Sequence, residues 1–162
     1  MTFKLGFSVV ALLASLTMGA SARAQAADDF VGYWITEEKD VIIRLARCKR
    51  QSFMPEATSI CGRVVWDVVA KDPNRKVPSD CNRRLVQFNE FKDGTWEDGW
   101  AFNSRDNRSY LAKMRLNDKG QIAARTYVGN EMQGQTLIFN PVMAADVPPD
   151  CQGQRPDQIR LR

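Results

Sequence analysis

The 162-residue sequence contains no histidine. Histidine is the usual general base near neutral pH, the usual partner of serine and cysteine nucleophiles, and the commonest transition-metal ligand. An enzyme made from this chain would have to rely on carboxylates, lysine or tyrosine. We therefore expect a protein that is not an enzyme, and we predict neither a metal site nor a cofactor.

After its first residues the chain also lacks any long apolar run. The apolar stretch from Leu5 to Met18 follows a single charge at Lys4 and precedes a series of small residues. This is the three-part pattern of a secretion signal, and it is shorter than the ~20 residues needed to span a bilayer. We predict a signal peptide over residues 1–26, cleaved after Ala26, with no membrane span and a periplasmic or secreted location.

A concentrated patch of one charge is missing as well. Lysine and arginine number 23 against 19 acidic residues, and the basic residues are spread along the chain. A nucleic-acid-binding protein gathers them into one stripe, so we predict no nucleic-acid partner. Several basic residues fall in predicted loops, where they are either solvated or form a rim for an anion or a partner: Lys49, Arg50, Lys71, Arg75, Lys76, Arg83 and Arg84.

The four cysteines show no Cys-x-x-Cys spacing. An even number of cysteines in an exported chain favours disulfides over metal ligation. Three pairings are possible. Cys48 ends one predicted strand and Cys61 begins the next, so we pair these two across a loop, which leaves Cys81 with Cys151.

From Tyr33 onward the sequence reads as about eight short strands separated by turn residues, without a helical period. A meander of that length removes its exposed edges by closing into a barrel. We therefore predict an all-β fold, an antiparallel barrel over residues 27–139. Residues 140–162 are rich in proline and should form an extended tail, held to the body through Cys151.

Aromatic residues are the candidates for a ligand site. Alternation predicts that Trp96, Trp100 and Phe102 share one face of a strand, and that Tyr110 points inward on the next. Trp66 is predicted to share a face with its neighbours Val64 and Val68. These rings either line a pocket or fill the core, because an eight-stranded barrel is either packed with side chains or holds one small ligand.

Five motifs make the chain resemble a bacterial family known as domain of unknown function 2147. They are Gly32-Tyr33-Trp34-Ile35-Thr36, Cys48, the block from Cys61 to Trp66, Tyr110-Leu111-Ala112-Lys113-Met114, and Tyr127-Val128-Gly129 with Gly134-Gln135-Thr136. The resemblance implies an exported, lipocalin-like barrel whose biochemical role is not established. The chain departs from the family at Phe139-Asn140-Pro141, where the family has Trp-x-Arg.

Two hypotheses about function follow. The first is a lipocalin-like barrel that binds a small apolar or amphipathic molecule, with Trp66, Trp96, Trp100, Phe102 and Tyr110 as candidate contacts. The alternative is a cell-envelope protein-interaction module with a filled barrel. An accessible interior favours the first hypothesis, and an exposed apolar patch beside a filled barrel favours the second.

Overall fold

A computed structural model describes residues 26–48, 59–68 and 79–151. Its strands follow one another around a closed antiparallel barrel, in which each strand pairs with its neighbours in sequence and the last pairs with the first. The strands are β1 Gly32–Thr36, β2 Val41–Arg47, β3 Ile60–Asp67, β4 Arg84–Lys92, β5 Thr95–Asn103, β6 Arg108–Leu116, β7 Ile122–Tyr127 and β8 Gln135–Val142. The predicted fold class is confirmed.

Regular alternation places the core in β6. Ala112 and Met114 are buried, Lys113 between them is partly exposed, and Leu111 and Arg115 on either side are exposed. Successive side chains of a strand point to opposite faces, so the even-numbered positions of β6 face the barrel interior, as predicted. Residues opposite these positions on neighbouring strands face inward too, which assigns the inner wall of β5, β7 and β8.

A β-bulge interrupts this alternation in β5. The register with β6 shifts between Trp96 and Gly99, and Asp98 there adopts a left-handed backbone with φ of 46°. The extra residue turns Trp96 and Gly99 inward but leaves Trp100 and Phe102 facing outward. The prediction that Trp96, Trp100 and Phe102 share a face is therefore wrong.

A second irregularity lies between β2 and β3. The register shifts between Ile42 and Ile43, so Ile43 pairs with Val64 and Ile42 pairs with Trp66. Val64 belongs to the core cluster, whereas Trp66 and Ile42 are buried outside it. The expected common face of Val64 and Trp66 is thus broken by the shift.

Short 3-10 helices flank the barrel. The first, Ala27–Phe30, precedes β1, and Glu131–Gln133 connects β7 to β8. Ala144–Asp146 and Pro149–Cys151 follow the last strand. Strand β8 extends to Val142, so three residues assigned to the tail by their proline content pair with β1 instead.

Both predicted disulfides are formed. Cys48 is bonded to Cys61 across 13 residues, and Cys81 is bonded to Cys151 across 70 residues. Cys81 and Cys151 are part of the buried core cluster, so the second bond fastens the end of the described chain to the barrel. Two disulfides indicate an oxidising, extracytoplasmic compartment.

The predicted signal peptide, apart from Ala26, lies outside the described residues and stays a prediction. Within the part of the chain that the structure describes, no helix is long and apolar enough to cross a membrane.

Candidate functional site

The two ends of the barrel are built differently. The 3-10 helix 27–30 and the turns at 93–94 and 117–121 lie at one end, which we call the closed end. The turns 37–40, 104–107 and 128–134 lie at the other, which we call the open end. This placement follows from the antiparallel order of the strands.

Aromatic side chains fill the closed end. Phe30 is completely buried and meets Phe91 edge to face, with ring centroids 5.9 Å apart, and Phe91 lies 5.3 Å from Trp96. The indole Nε1 of Trp34 donates a hydrogen bond of 2.9 Å to the carbonyl oxygen of Phe30. This contact fixes the first 3-10 helix as a plug.

A guanidinium group covers the plug. Arg47 lies 5.5 Å from the centre of the Trp96 ring and donates to a carboxylate oxygen of Asp28, 2.8 Å away. The Nε1 atom of Trp96 is buried and has no hydrogen-bond partner among the described residues. At this end the free energy gained from dense apolar packing therefore exceeds the cost of leaving one buried hydrogen-bond donor unsatisfied.

Phe88 forms the floor between the two ends. It is buried, and its ring occupies the space beside Gly99, where an added Cβ would lie 2.1 Å from Phe88 Cδ1. Only glycine permits this close approach of ring and backbone. The filled part of the barrel thus reaches the middle layer.

Above this floor the inner wall carries small side chains that are only half buried. Ala124 faces inward because it lies opposite buried Met114, and Thr126 does so because it lies opposite buried Ala112. Ala101 also packs against the core from this wall. Ala101, Ala124 and Thr126 are each partly exposed, so this part of the wall is accessible to solvent.

The inner wall is exposed further at β8, because the neighbouring strand β1 is shorter. Strand β1 stops at Thr36, opposite Phe139, while β8 continues to Gln135. Leu137 lies opposite inward-facing Ala124 and is nevertheless 44% exposed. We call the lining formed by Ala101, Tyr110, Ala124, Thr126 and Leu137 the cup.

Tyr110 stands at the rim of the cup. It lies opposite Ala101 on the inward side of β6, and its hydroxyl donates a hydrogen bond to the carboxylate of Asp106 in the turn that precedes this strand. This hydrogen bond raises the pKa of Tyr110, because loss of the proton would place a phenolate against the carboxylate. Tyr110 is thus held as a neutral, ordered polar group at the entrance.

A second cleft, of about 250 Å³, lies on the outside of the barrel and shares Tyr110 with the rim of the cup. Trp100, Leu111 and Tyr127 are opposite one another on β5, β6 and β7 and form its wall. Val128 continues the cleft and is 73% exposed. We call this surface the outer cleft.

The structure thus separates the five predicted contact residues. Trp96 is sealed in the closed end, Trp66 is buried outside the core cluster, Trp100 and Phe102 face outward, and Tyr110 alone joins the cup. Sequence reasoning missed the small residues of the cup. Their signal was present, since Ala124 and Thr126 alternate with Arg125 after the turn that follows β6.

The predicted basic rim is described only in part. Arg83 pairs with Asp80 at 3.2 Å and lies 3.9 Å above the ring of Phe102, and Arg84 donates to Gln87. Both arginines therefore have local partners. The other members of the rim, residues 49, 50, 71, 75 and 76, lie outside the described residues.

Comparison with a solved structure shows the class of fold to which this protein belongs. Protein HP1028 from the human pathogen Helicobacter pylori, described as a member of the lipocalin family, has a similar fold, with a TM-score of 0.52. The two chains are 14% identical, and the match covers 73% of this chain and 86% of HP1028. This protein is thus a lipocalin-like barrel.

Comparison with protein-family models identifies the family of this chain. The model of domain of unknown function 2147, a family of uncharacterised proteins conserved in bacteria, matches residues 32–140. This range exceeds half of the chain, and the protein belongs to that family. No curated protein matches the sequence.

Proposed function

We propose that this protein is a binding protein for a small apolar or amphipathic molecule, held in the cup at the open end of the barrel. The observation that carries the proposal is the solvent-accessible inner wall. Inward-facing Ala101, Ala124, Thr126 and Leu137 are partly exposed, whereas inward-facing Phe88, Trp96, Ala112 and Met114 are buried.

The chemistry of the cup supports an amphipathic ligand. Alanine and leucine side chains offer apolar contact, and burying that surface contributes about 25 cal/mol per Å². Thr126 and the hydroxyl of Tyr110 add polar groups near the entrance. Binding sites of this kind combine an apolar lining with a few placed polar groups.

The proposal is for binding rather than catalysis. The sequence has no histidine, and all four cysteines are in disulfides, which leaves neither an imidazole base nor a thiol nucleophile. We further propose that the protein acts in the periplasm or outside the cell, because the predicted signal peptide and the disulfides both fit export.

A pair of adjacent alanines provides the test. Ala124 faces inward and Ala123 faces outward, opposite exposed Arg115. Ala124→Phe should fill the cup and weaken the binding of N-phenyl-1-naphthylamine or a fatty acid at least tenfold, whereas Ala123→Phe should leave affinity unchanged. Titrations would be run beside denaturant unfolding, so that a loss of folding is recognised.

The proposal is rejected if the wild-type protein shows no saturable binding, or if both variants bind as wild type does. Native mass spectrometry of protein purified from its own host would add the identity of any retained ligand.

The outer cleft favours a second candidate function, an envelope protein-interaction module. Leu111 is 50% exposed and Val128 is 73% exposed, and both line this surface. Exposed apolar patches mark interaction sites. Leu111→Glu should abolish capture of an envelope protein from the native host while leaving cup binding intact; unchanged capture would discard this candidate.

A further inference from the structure

One ion pair joins opposite walls of the barrel at the open end. Arg105 Nη2 lies 2.7 Å from Asp40 Oδ2, although the two residues are 65 positions apart in sequence. Asp40 belongs to the turn between β1 and β2, and Arg105 belongs to the turn between β5 and β6. In the closed order β1 to β8 these two turns are four strands apart. The pair therefore spans the opening of the barrel at its open end, which we call the mouth.

Both ends of this bridge are held by local hydrogen bonds. Thr36 Oγ1 donates to Asp40 Oδ1 and accepts from the backbone N–H groups of Asp40 and Val41. This hydroxyl orients the carboxylate towards the mouth.

The other turn is ordered in the same way. The side chain of Asn103 accepts from the backbone N–H of Arg105, and Asp106 accepts from the backbone N–H of Arg108 and from the hydroxyl of Tyr110. The only long, exposed link of the bridge is the Arg105 side chain, which is 82% exposed. Local hydrogen bonds thus hold both turns in place, and the ion pair between them is the part that can break.

We propose that the Arg105–Asp40 pair is a strap that controls passage into and out of the cup. This inference rests on the proposed ligand-binding function. The mouth lies directly above the inward-facing Ala101 and Tyr110 of the strands that carry the turn 104–107. A molecule entering the cup has to pass beside the strap or wait for it to open.

The strap has a defined physical signature. An exposed ion pair is weak and is screened by salt, so it opens often. We expect Arg105 to pair with Asp40 whether or not the cup is occupied, so that loss of the pair lowers the barrier for entry and exit equally. Association and dissociation rates should rise together, and the equilibrium affinity should stay constant.

The test uses stopped-flow kinetics with N-phenyl-1-naphthylamine, an uncharged apolar probe that gains nothing from the charge of Arg105. Arg105→Ala and Asp40→Asn should each raise both rates about two- to fivefold, the scale of a surface ion pair. Arg105→Lys keeps the charge and should stay near the wild-type rates. Arg108→Ala removes a neighbouring exposed cation that has no contact with Asp40 and serves as the matched control.

Two outcomes would overturn the strap. One is unchanged rates in Arg105→Ala and Asp40→Asn; the other is a change in affinity through dissociation alone, which would make Arg105 a ligand contact. Hydrogen exchange of the turns 37–40 and 104–107, without probe, separates this inference from the proposed function. If no variant binds probe but both turns exchange faster in Arg105→Ala, the binding proposal fails and the bridge itself stands as a purely structural link.

Discussion

The closed and open halves of this barrel are lined by different kinds of side chain. Phe30, Trp34 and Trp96 pack the closed end with at most 5% exposure. Ala101, Ala124 and Leu137 line the open end and remain accessible to solvent. Large rings supply contact area at the closed end, and small side chains leave the open end less completely filled. The same eight strands thus combine a packed core with a recess.

The disulfides do not follow this division between a packed and an accessible half, because one of them lies at the open end. Cys81 and Cys151 are buried there and close a loop of 70 residues, whereas Cys48 and Cys61 close one of 13 at the closed end. In the chain-entropy model we expect loss of the Cys81–Cys151 bond to cost about 4 kcal/mol and loss of the Cys48–Cys61 bond about 3 kcal/mol. Paired Cys→Ser variants in denaturant unfolding measure both. A larger loss at the closed end would show that the open half adds little stability.

Truncation of one leucine in each half allows the packing of the two halves to be compared directly. Leu45 is 1% exposed in the packed part of the barrel, and Leu137 is 44% exposed in the cup. Leu45→Ala should cost about 3 kcal/mol of unfolding free energy, because truncation leaves a cavity that cannot collapse fully. Leu137→Ala should cost under about 1 kcal/mol, because its side chain is already in contact with solvent. Equal losses in chemical denaturation would mean that the open half is packed like the closed half.

The smallest expected effect concerns the rim. The hydrogen bond to the carboxylate of Asp106 raises the pKa of Tyr110. Asp106→Asn removes that negative charge and should therefore lower the pKa of Tyr110. A pH titration of the tyrosine ring signals by NMR follows the change, with Asp93→Asn in a closed-end turn as control. A Tyr110 pKa that does not move would disprove the contact.

Sequence alternation predicted the architecture because most strands are regular. The face of β6 from Tyr110 to Leu116 was predicted correctly, since no bulge interrupts it. Adjacent strand ends also sufficed to pair Cys48 with Cys61. The fold class follows from patterns of this local kind.

The site could not be predicted, because one extra residue reverses a strand's faces. The bulge at Glu97 and Asp98 moved Trp100 and Phe102 from the predicted pocket to the outside of the barrel. Asp98-Gly99 was the available signal, since both residue types are favoured at irregular backbone positions. No local pattern could show that β1 ends early and exposes Leu137, because that depends on the pairing of distant strands.

The most direct test of the central claim locates a bound molecule on the protein. A fatty acid carrying a nitroxide label would be added to protein with isotope-labelled methyl groups, and the NMR signals broadened by the label would be mapped. We predict broadening at Ala101, Ala124 and Leu137, with Leu45 and Ile60 of the packed core affected least. Broadening centred on Leu111 and Val128 of the outer cleft, or none at all, would contradict the account.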